Sequence, residues 1–144
     1  MAIPLLNEDQ KIKIGGGEAI VSKPISVCGP GTGLGLASLI PVSISDVNHW
    51  HCVSGEGGHI DFAPISEQEI EILRYLNTIR KRVSYEQLLS GYGLEQIYQA
   101  LTNAESIKGD NEKTPKLSAE EICNKGINKN CQVSYQALSI FCRV

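Results

Sequence analysis

The stretch CGPGTGLG, Cys28 to Gly35, places four glycines in eight residues, directly after the β-branched run Ile25-Ser26-Val27. It reads as a strand, a tight turn at Gly31-Thr32-Gly33, and a second apolar strand from Leu36 onward. Glycines in such a turn let successive backbone N–H groups converge on an anion, and a threonine hydroxyl adds a donor. An ordinary glycine-rich hairpin uses the same residues. Two well-known phosphate loops are excluded. A dinucleotide fingerprint needs glycine at the sixth position, where counting from Gly29 or Gly31 gives Leu34 or Leu36; a Walker A loop needs a Gly-Lys pair, and no lysine is near.

Downstream, SGEGGHIDFAP, Ser54 to Pro64, repeats the theme with chemistry attached. Two glycines separate Glu56 from His59, so both side chains can turn toward one point while the backbone stays close to whatever sits there. A carboxylate beside an imidazole suits recognition of sugar hydroxyls, where a hydrogen bond to the charged group contributes about 1.5 to 3 kcal/mol. The same pair suits acid–base chemistry, or simple satisfaction of local backbone groups. Asp61 reads as a turn or capping aspartate. His49-x-His51-Cys52 has metal-ligating atoms but no fourth ligand at ordinary spacing, so strand-exposed histidines are the better reading.

Around these loops the chain has two grammars. From Gly15 to Pro64 three strands are expected, at Ile25 to Cys28, Leu36 to Ile44 and His49 to Val53, the last two joined by a polar turn at Ser45 to Asn48. Beyond Pro64 the pattern is helical. Ser66 with Glu69 forms a capping box ahead of an apolar stripe of Ile70, Leu73 and Leu76 with Ile72 and Ile79. Ser84 with Gln87 opens a short helix that Gly91 and Gly93 interrupt, and Leu94, Ile97, Tyr98 and Leu101 carry the next. After a polar loop at Asp110 to Lys116, Ser118 with Glu121 caps another helix. Tyr135, Leu138, Phe141 and Cys142 form a last apolar face that is unfinished when the sequence stops, and Met1 to Leu6 is apolar with nothing upstream to pack against. The chain therefore reads as a cut piece.

Composition narrows the classes. With 144 residues, a net charge of −3 and charged residues of mixed sign at 20%, the chain shows no basic face for nucleic acid or anionic lipid. No run approaches the roughly eighteen apolar residues of a membrane span, and no signal peptide is recognisable, so a soluble, cytoplasmic protein is expected. Five cysteines without a repeating spacing read as reduced, buried thiols and as no zinc site.

GPGTGLG, then GEGGHIDFAP, then VSYEQLLSGYGLEQIY from Val83 together resemble the bacterial glucokinase family, of the hexokinase and actin-like ATPase superfamily, over nearly the whole chain. The resemblance implies an α/β fold: part of a ribonuclease-H-like large domain with a three-stranded antiparallel start followed by helices. Residues 1–65 would carry the phosphate and sugar loops, and residues 66–144 the helices. It implies that Gly31, Thr32 and Gly33 are an ATP phosphate-binding turn and that Glu56, His59 and Glu86 bind glucose. Read locally, Glu86 is an ordinary first-turn helix carboxylate. ATP and magnesium are the implied cofactors, glucose the substrate, and a homodimer the implied assembly of the parent enzyme. The family's catalytic aspartate matches a point upstream of Met1, and its adenosine segment a point beyond Val144. No catalytic residue is therefore assigned here, and the 144 residues alone are expected to be inactive. The alternative is a non-catalytic remnant that binds sugar or depends on a partner. Pro30, where the family usually has a small residue, and the longer turn at Ser45 to Asn48 are the departures from its pattern.

Overall fold

The computed structural model describes residues 3–44, 47–107 and 116–144. After two short 3-10 turns (Ile3–Leu5 and Glu8–Gln10), an antiparallel sheet in the order β1-β2-β3 is formed by β1 (Ile25–Pro30), β2 (Leu34–Ile44) and β3 (Val47–Gly55). Gly31 to Gly33 close the first hairpin, with the Gly31 N–H donating to the Gly33 carbonyl at 2.8 Å. Pairing runs from Pro30 opposite Leu34 to Ile25 opposite Leu39, and Leu39 also faces Cys52 on β3. The strands exceed the expected spans because ladder bonds continue past the apolar runs: β2 begins two residues earlier, and Val47 and Asn48 already pair with Ile44 and Ser43. Of the expected polar turn between β2 and β3, Ser45 and Asp46 lie outside the described residues, as do residues 110–115 of the later polar loop.

The core lies in the helical half. Helices α1 (Glu67–Ile79), α2 (Tyr85–Leu88), α3 (Gly91–Ile107), α4 (Ala119–Ile127) and α5 (Gln132–Arg143) bury Ile72, Leu76, Leu88, Leu94, Ile97, Ile122, Ala137 and Ile140 against one another. Ile97 and Ile122 are fully inaccessible to solvent. Within the described part of the sheet, Leu39 is the buried apolar residue.

Three local expectations are corrected. First, Ser66 caps α1, its Oγ accepting from the Glu69 N–H at 3.3 Å, but the Glu69 carboxylate does not complete a capping box. It accepts instead from the Ile65 N–H at 2.7 Å and from Arg143 Nε, at the far end of the chain, at 3.0 Å. Second, Gly91 and Gly93 do not interrupt a helix; both lie in the first turn of α3. A Cβ on Gly93 would sit 2.1 Å from the Leu88 carbonyl oxygen, so glycine is what lets α3 start hard against the end of α2. Third, of the expected α5 face Leu138 and Phe141 are half-buried against the core, but the fully buried positions are Ser134, Ala137 and Ile140, and Tyr135 (42% exposed) and Cys142 are exposed. The small Ser134 is favoured because α4 approaches closely there: a Cβ on Gly126 would lie 2.9 Å from the Ser134 carbonyl oxygen.

The capping boxes at Ser84 with Gln87 and at Ser118 with Glu121 form as expected, with the cap N–H groups donating to the side-chain oxygens at 3.1 and 2.8 Å. All five cysteines are free, but Cys28, Cys52 and Cys142 are exposed, not buried.

The joint between sheet and helices positions the loops. After β3 the chain makes a 3-10 turn, Gly57–His59, then runs antiparallel to residues 83–85. The Phe62 N–H donates to the Val83 carbonyl at 2.9 Å, and the Tyr85 N–H to the Ile60 carbonyl at 3.1 Å. Phe62 and Tyr85 meet edge to face, ring centroids 5.7 Å apart, which anchors the crossing in the core.

Candidate functional site

Glu56, His59 and Glu86 come from two segments and meet at one end of the sheet. His59 occupies the last position of the 3-10 turn, its N–H donating to the Glu56 carbonyl at 3.0 Å. That turn places Glu56 Oε2 3.3 Å from His59 Nε2. Glu86, in the first turn of α2, approaches the other side of the ring, with Oε1 4.0 Å from Nδ1. Each ring nitrogen thus faces a carboxylate. The three side chains differ in exposure: 86% for Glu56, 54% for His59 and 34% for Glu86. The set is an open, polar cluster of acceptors around one imidazole, suited to a ligand that presents several hydroxyl groups.

Glycines bring the turn between β1 and β2 into the same place. A Cβ on Gly33 would lie 2.8 Å from both Cδ and Oε2 of Glu86, so the turn rests directly on that carboxylate. A Cβ on Gly58 would lie 2.4 Å from the Leu34 carbonyl oxygen and 3.3 Å from Glu86 Cβ. Gly33 and Gly58 therefore mark backbone contacts between three segments: the hairpin turn, the 3-10 turn and α2. Gly31 and Thr32 lie exposed at the tip, and a Cβ on Gly31 would meet open space. Of the residues singled out in the sequence, Glu56, His59, Glu86 and Gly33 are thereby brought together, while Gly31 and Thr32 stand at the exposed tip of the same turn.

The other candidates fall elsewhere. Asp61 pairs with Ser84 across the bridge, and its carboxylate accepts from Arg82 Nε at 2.5 Å. His49, His51 and Cys52 lie exposed on β3, and among the described residues no group of three His, Cys, Asp or Glu side chains is placed to hold a metal ion. Two features escaped the sequence reading. Arg82 also donates through Nη2 to the His59 carbonyl, a contact whose one advance signal was a cation flanking Val83-Ser84. Glu69 is a buried carboxylate, 2% exposed. Burial alone would raise its pKa, but the Ile65 N–H, the Arg143 guanidinium and the Ser66 backbone outweigh that and hold it below the ordinary range.

Comparison with known proteins gives one answer. The family model for glucokinase matches residues 1–144. The glucokinase of Colwellia psychrerythraea is 55% identical over all 144 residues, which cover 42% of its length. That of Photorhabdus laumondii is 42% identical over 144 residues, again 42% of its length. Among solved structures, the glucokinase of an Antarctic psychrotroph superposes on 98% of the chain with a TM-score of 0.80 and 30% identity, over 41% of its own length. A Balamuthia mandrillaris glucokinase crystallised with glucose shares the fold over 86% of the chain, with a TM-score of 0.67 at 21% identity. The chain spans about two-fifths of the length of the curated relatives it matches. With the motifs in order and the fold in common, this chain belongs to the glucokinase family.

Proposed function

We propose that these 144 residues are the part of a glucokinase large domain that holds the sugar and one phosphate turn of the nucleotide. The parent enzyme would transfer the terminal phosphoryl group of ATP to the 6-hydroxyl of glucose in the cytoplasm. The observation that carries this reading is the convergence of Glu56, His59 and Glu86 beside the Gly31 to Gly33 turn. Residues 1–65 contribute both loops, and residues 66–144 contribute Glu86 and the core that supports it.

In this reading the two carboxylates accept hydrogen bonds from glucose hydroxyls and His59 bonds a further hydroxyl, so the sugar is held by its polar rim. Each bond to a carboxylate is worth about 1.5 to 3 kcal/mol. Such fixed contacts orient the reacting hydroxyl, which is how phosphoryl-transfer enzymes gain most of their rate. Gly31, Thr32 and Gly33 fit a phosphate: the tip is open, a threonine hydroxyl stands on it, and the absence of a Gly31 side chain leaves the backbone accessible. ATP would supply the phosphoryl group and magnesium would neutralise charge on its phosphates, and no residue of this chain is assigned to that ion. Assembly of the parent as a homodimer belongs to the same proposal.

The test is glucose binding followed by ligand-observed NMR. Binding should disappear in Glu56→Gln and in His59→Ala, both exposed enough to leave the fold intact. Unchanged glucose signals in both variants would sink the site assignment.

A further inference from the structure

The proposed sugar ligands sit on two segments that must be held in register, and one side chain spans them at their outer edge. Arg82 directly precedes the strand-like residues 83–85 that lead into Glu86. Its guanidinium donates through Nε to Asp61 Oδ1 at 2.5 Å and through Nη2 to the main-chain carbonyl of His59. The fork thus grips the peptide that ends at His59 and the carboxylate two residues on, while the Phe62 to Val83 and Tyr85 to Ile60 backbone bonds close the inner side. Arginine suits this task because one planar group serves two acceptors at a fixed angle; a lysine ammonium reaches them only as a point charge. Arg82 and Asp61 are 61% and 74% exposed, so the pair contributes little to global stability. Its energetic effect falls on local geometry.

Resting on the sugar-site reading above, we propose that Arg82 is a positioning residue for glucose binding: by clasping the His59 carbonyl and Asp61, it holds the His59 ring between Glu56 and Glu86. Without the clasp, the 3-10 turn keeps its backbone bonds to Glu56 and Gly57, but the orientation of His59 relative to α2 is released.

The experiment measures the D-glucose dissociation constant by calorimetry, and the melting temperature, on the polypeptide as its source cell makes it. The wild type is compared with Arg82→Gln, Arg82→Lys, Asp61→Asn and the double variant Arg82→Gln/Asp61→Asn, with Glu56→Gln as the site control. The expected result is an affinity about tenfold weaker in Arg82→Gln, the scale of one impaired hydrogen bond to a charged group, with the melting temperature nearly unchanged. Arg82→Lys should recover part of the loss, and the double variant should be no worse than Arg82→Gln, because both substitutions break one device. If Arg82→Gln does not fold, Asp61→Asn carries the test and should weaken binding by itself. Wild-type affinity in Arg82→Gln alongside lost affinity in Glu56→Gln overturns the positioning role alone, as does an affinity loss that merely tracks a fall in melting temperature. Wild-type affinity in Glu56→Gln overturns the sugar-site reading, and the role of Arg82 falls with it.

Discussion

Gly57 and Gly58 are adjacent, and a methyl group added to either would meet its nearest neighbour at 2.4 Å, yet the two substitutions should behave very differently. At Gly57 the obstacle is Cδ2 of Leu36, the tip of a side chain that is 38% exposed and can rotate away. At Gly58 it is the Leu34 carbonyl oxygen, with Leu34 Cβ at 3.1 Å and Glu86 Cβ at 3.3 Å behind it. Backbone on one side and an α2 side chain on the other leave no rotamer to yield. Relief to the 3.0 Å below which real Cβ contacts essentially never fall requires the 3-10 turn to lift off β2 by about 0.6 Å, carrying His59 with it. Overpacking of this kind costs about 1 to 3 kcal/mol, and a displacement approaching 1 Å at a binding group costs up to about a hundredfold in function. Gly58→Ala should therefore lower the melting temperature and remove most of the glucose affinity, while Gly57→Ala should stay within about 0.5 kcal/mol of wild type. Thermal melts and glucose calorimetry on the two variants side by side decide the matter. Equal behaviour of the pair would refute the claim that backbone contact at Gly58 sets the site.

Gly33→Ala should act on the site with little effect on the fold, because its methyl would displace only the flexible end of Glu86: glucose affinity falls and the melting temperature barely moves. The Glu69–Arg143 tie should appear in acid. The Glu69 pKa is depressed in the folded chain, so its stabilisation is present above the ordinary carboxylate range and is lost as pH falls through the folded value. Arg143→Gln removes the guanidinium and lets burial raise that pKa, so the acid limb of a melting-temperature profile should move to higher pH, with about 1 to 2 kcal/mol lost at neutral pH because Arg143 is half exposed. An unmoved acid limb would show that the Ile65 and Ser66 backbone groups sustain the carboxylate without Arg143.

What was legible in the sequence was whatever local chemistry decides. The hairpin turn follows from Gly31-Thr32-Gly33, and two helix starts follow from serine caps whose partners lie three residues on. What was not legible depended on distant partners or on size. Glu69 has the spacing of a capping box, but Arg143, 74 positions away, and the Ile65 N–H take its carboxylate instead. In α5 hydrophobicity pointed to Tyr135, Leu138, Phe141 and Cys142; Leu138 and Phe141 do pack against the core, but Tyr135 and Cys142 are exposed, and the close approach of Gly126 on α4 favours the small Ser134 at that contact. Gly93 looked like a helix breaker and is instead a contact point, its missing Cβ making room for the Leu88 carbonyl. In both helices packing overrode the preference that the residue type expresses alone.

The same distinction explains why the candidate site is built around glycine. Glu86 reads locally as a surface carboxylate at the start of a short helix, yet it is the least exposed of the three proposed ligands. Its partial burial comes from Gly33 and Gly58, which allow the hairpin and the 3-10 turn to close on it at distances that an added Cβ would crowd. A carboxylate in such a place loses competing water, so each hydrogen bond it makes to a ligand counts for more than one made by Glu56 at the open rim. The contact at Gly33 also puts the proposed phosphate turn directly against a proposed sugar ligand, with no intervening residue. A shift of the turn is then felt first by the Glu86 carboxylate, the end of the side chain that rests on it. Glycine here does more than permit a turn: it sets the separation between the two ends of the proposed transfer.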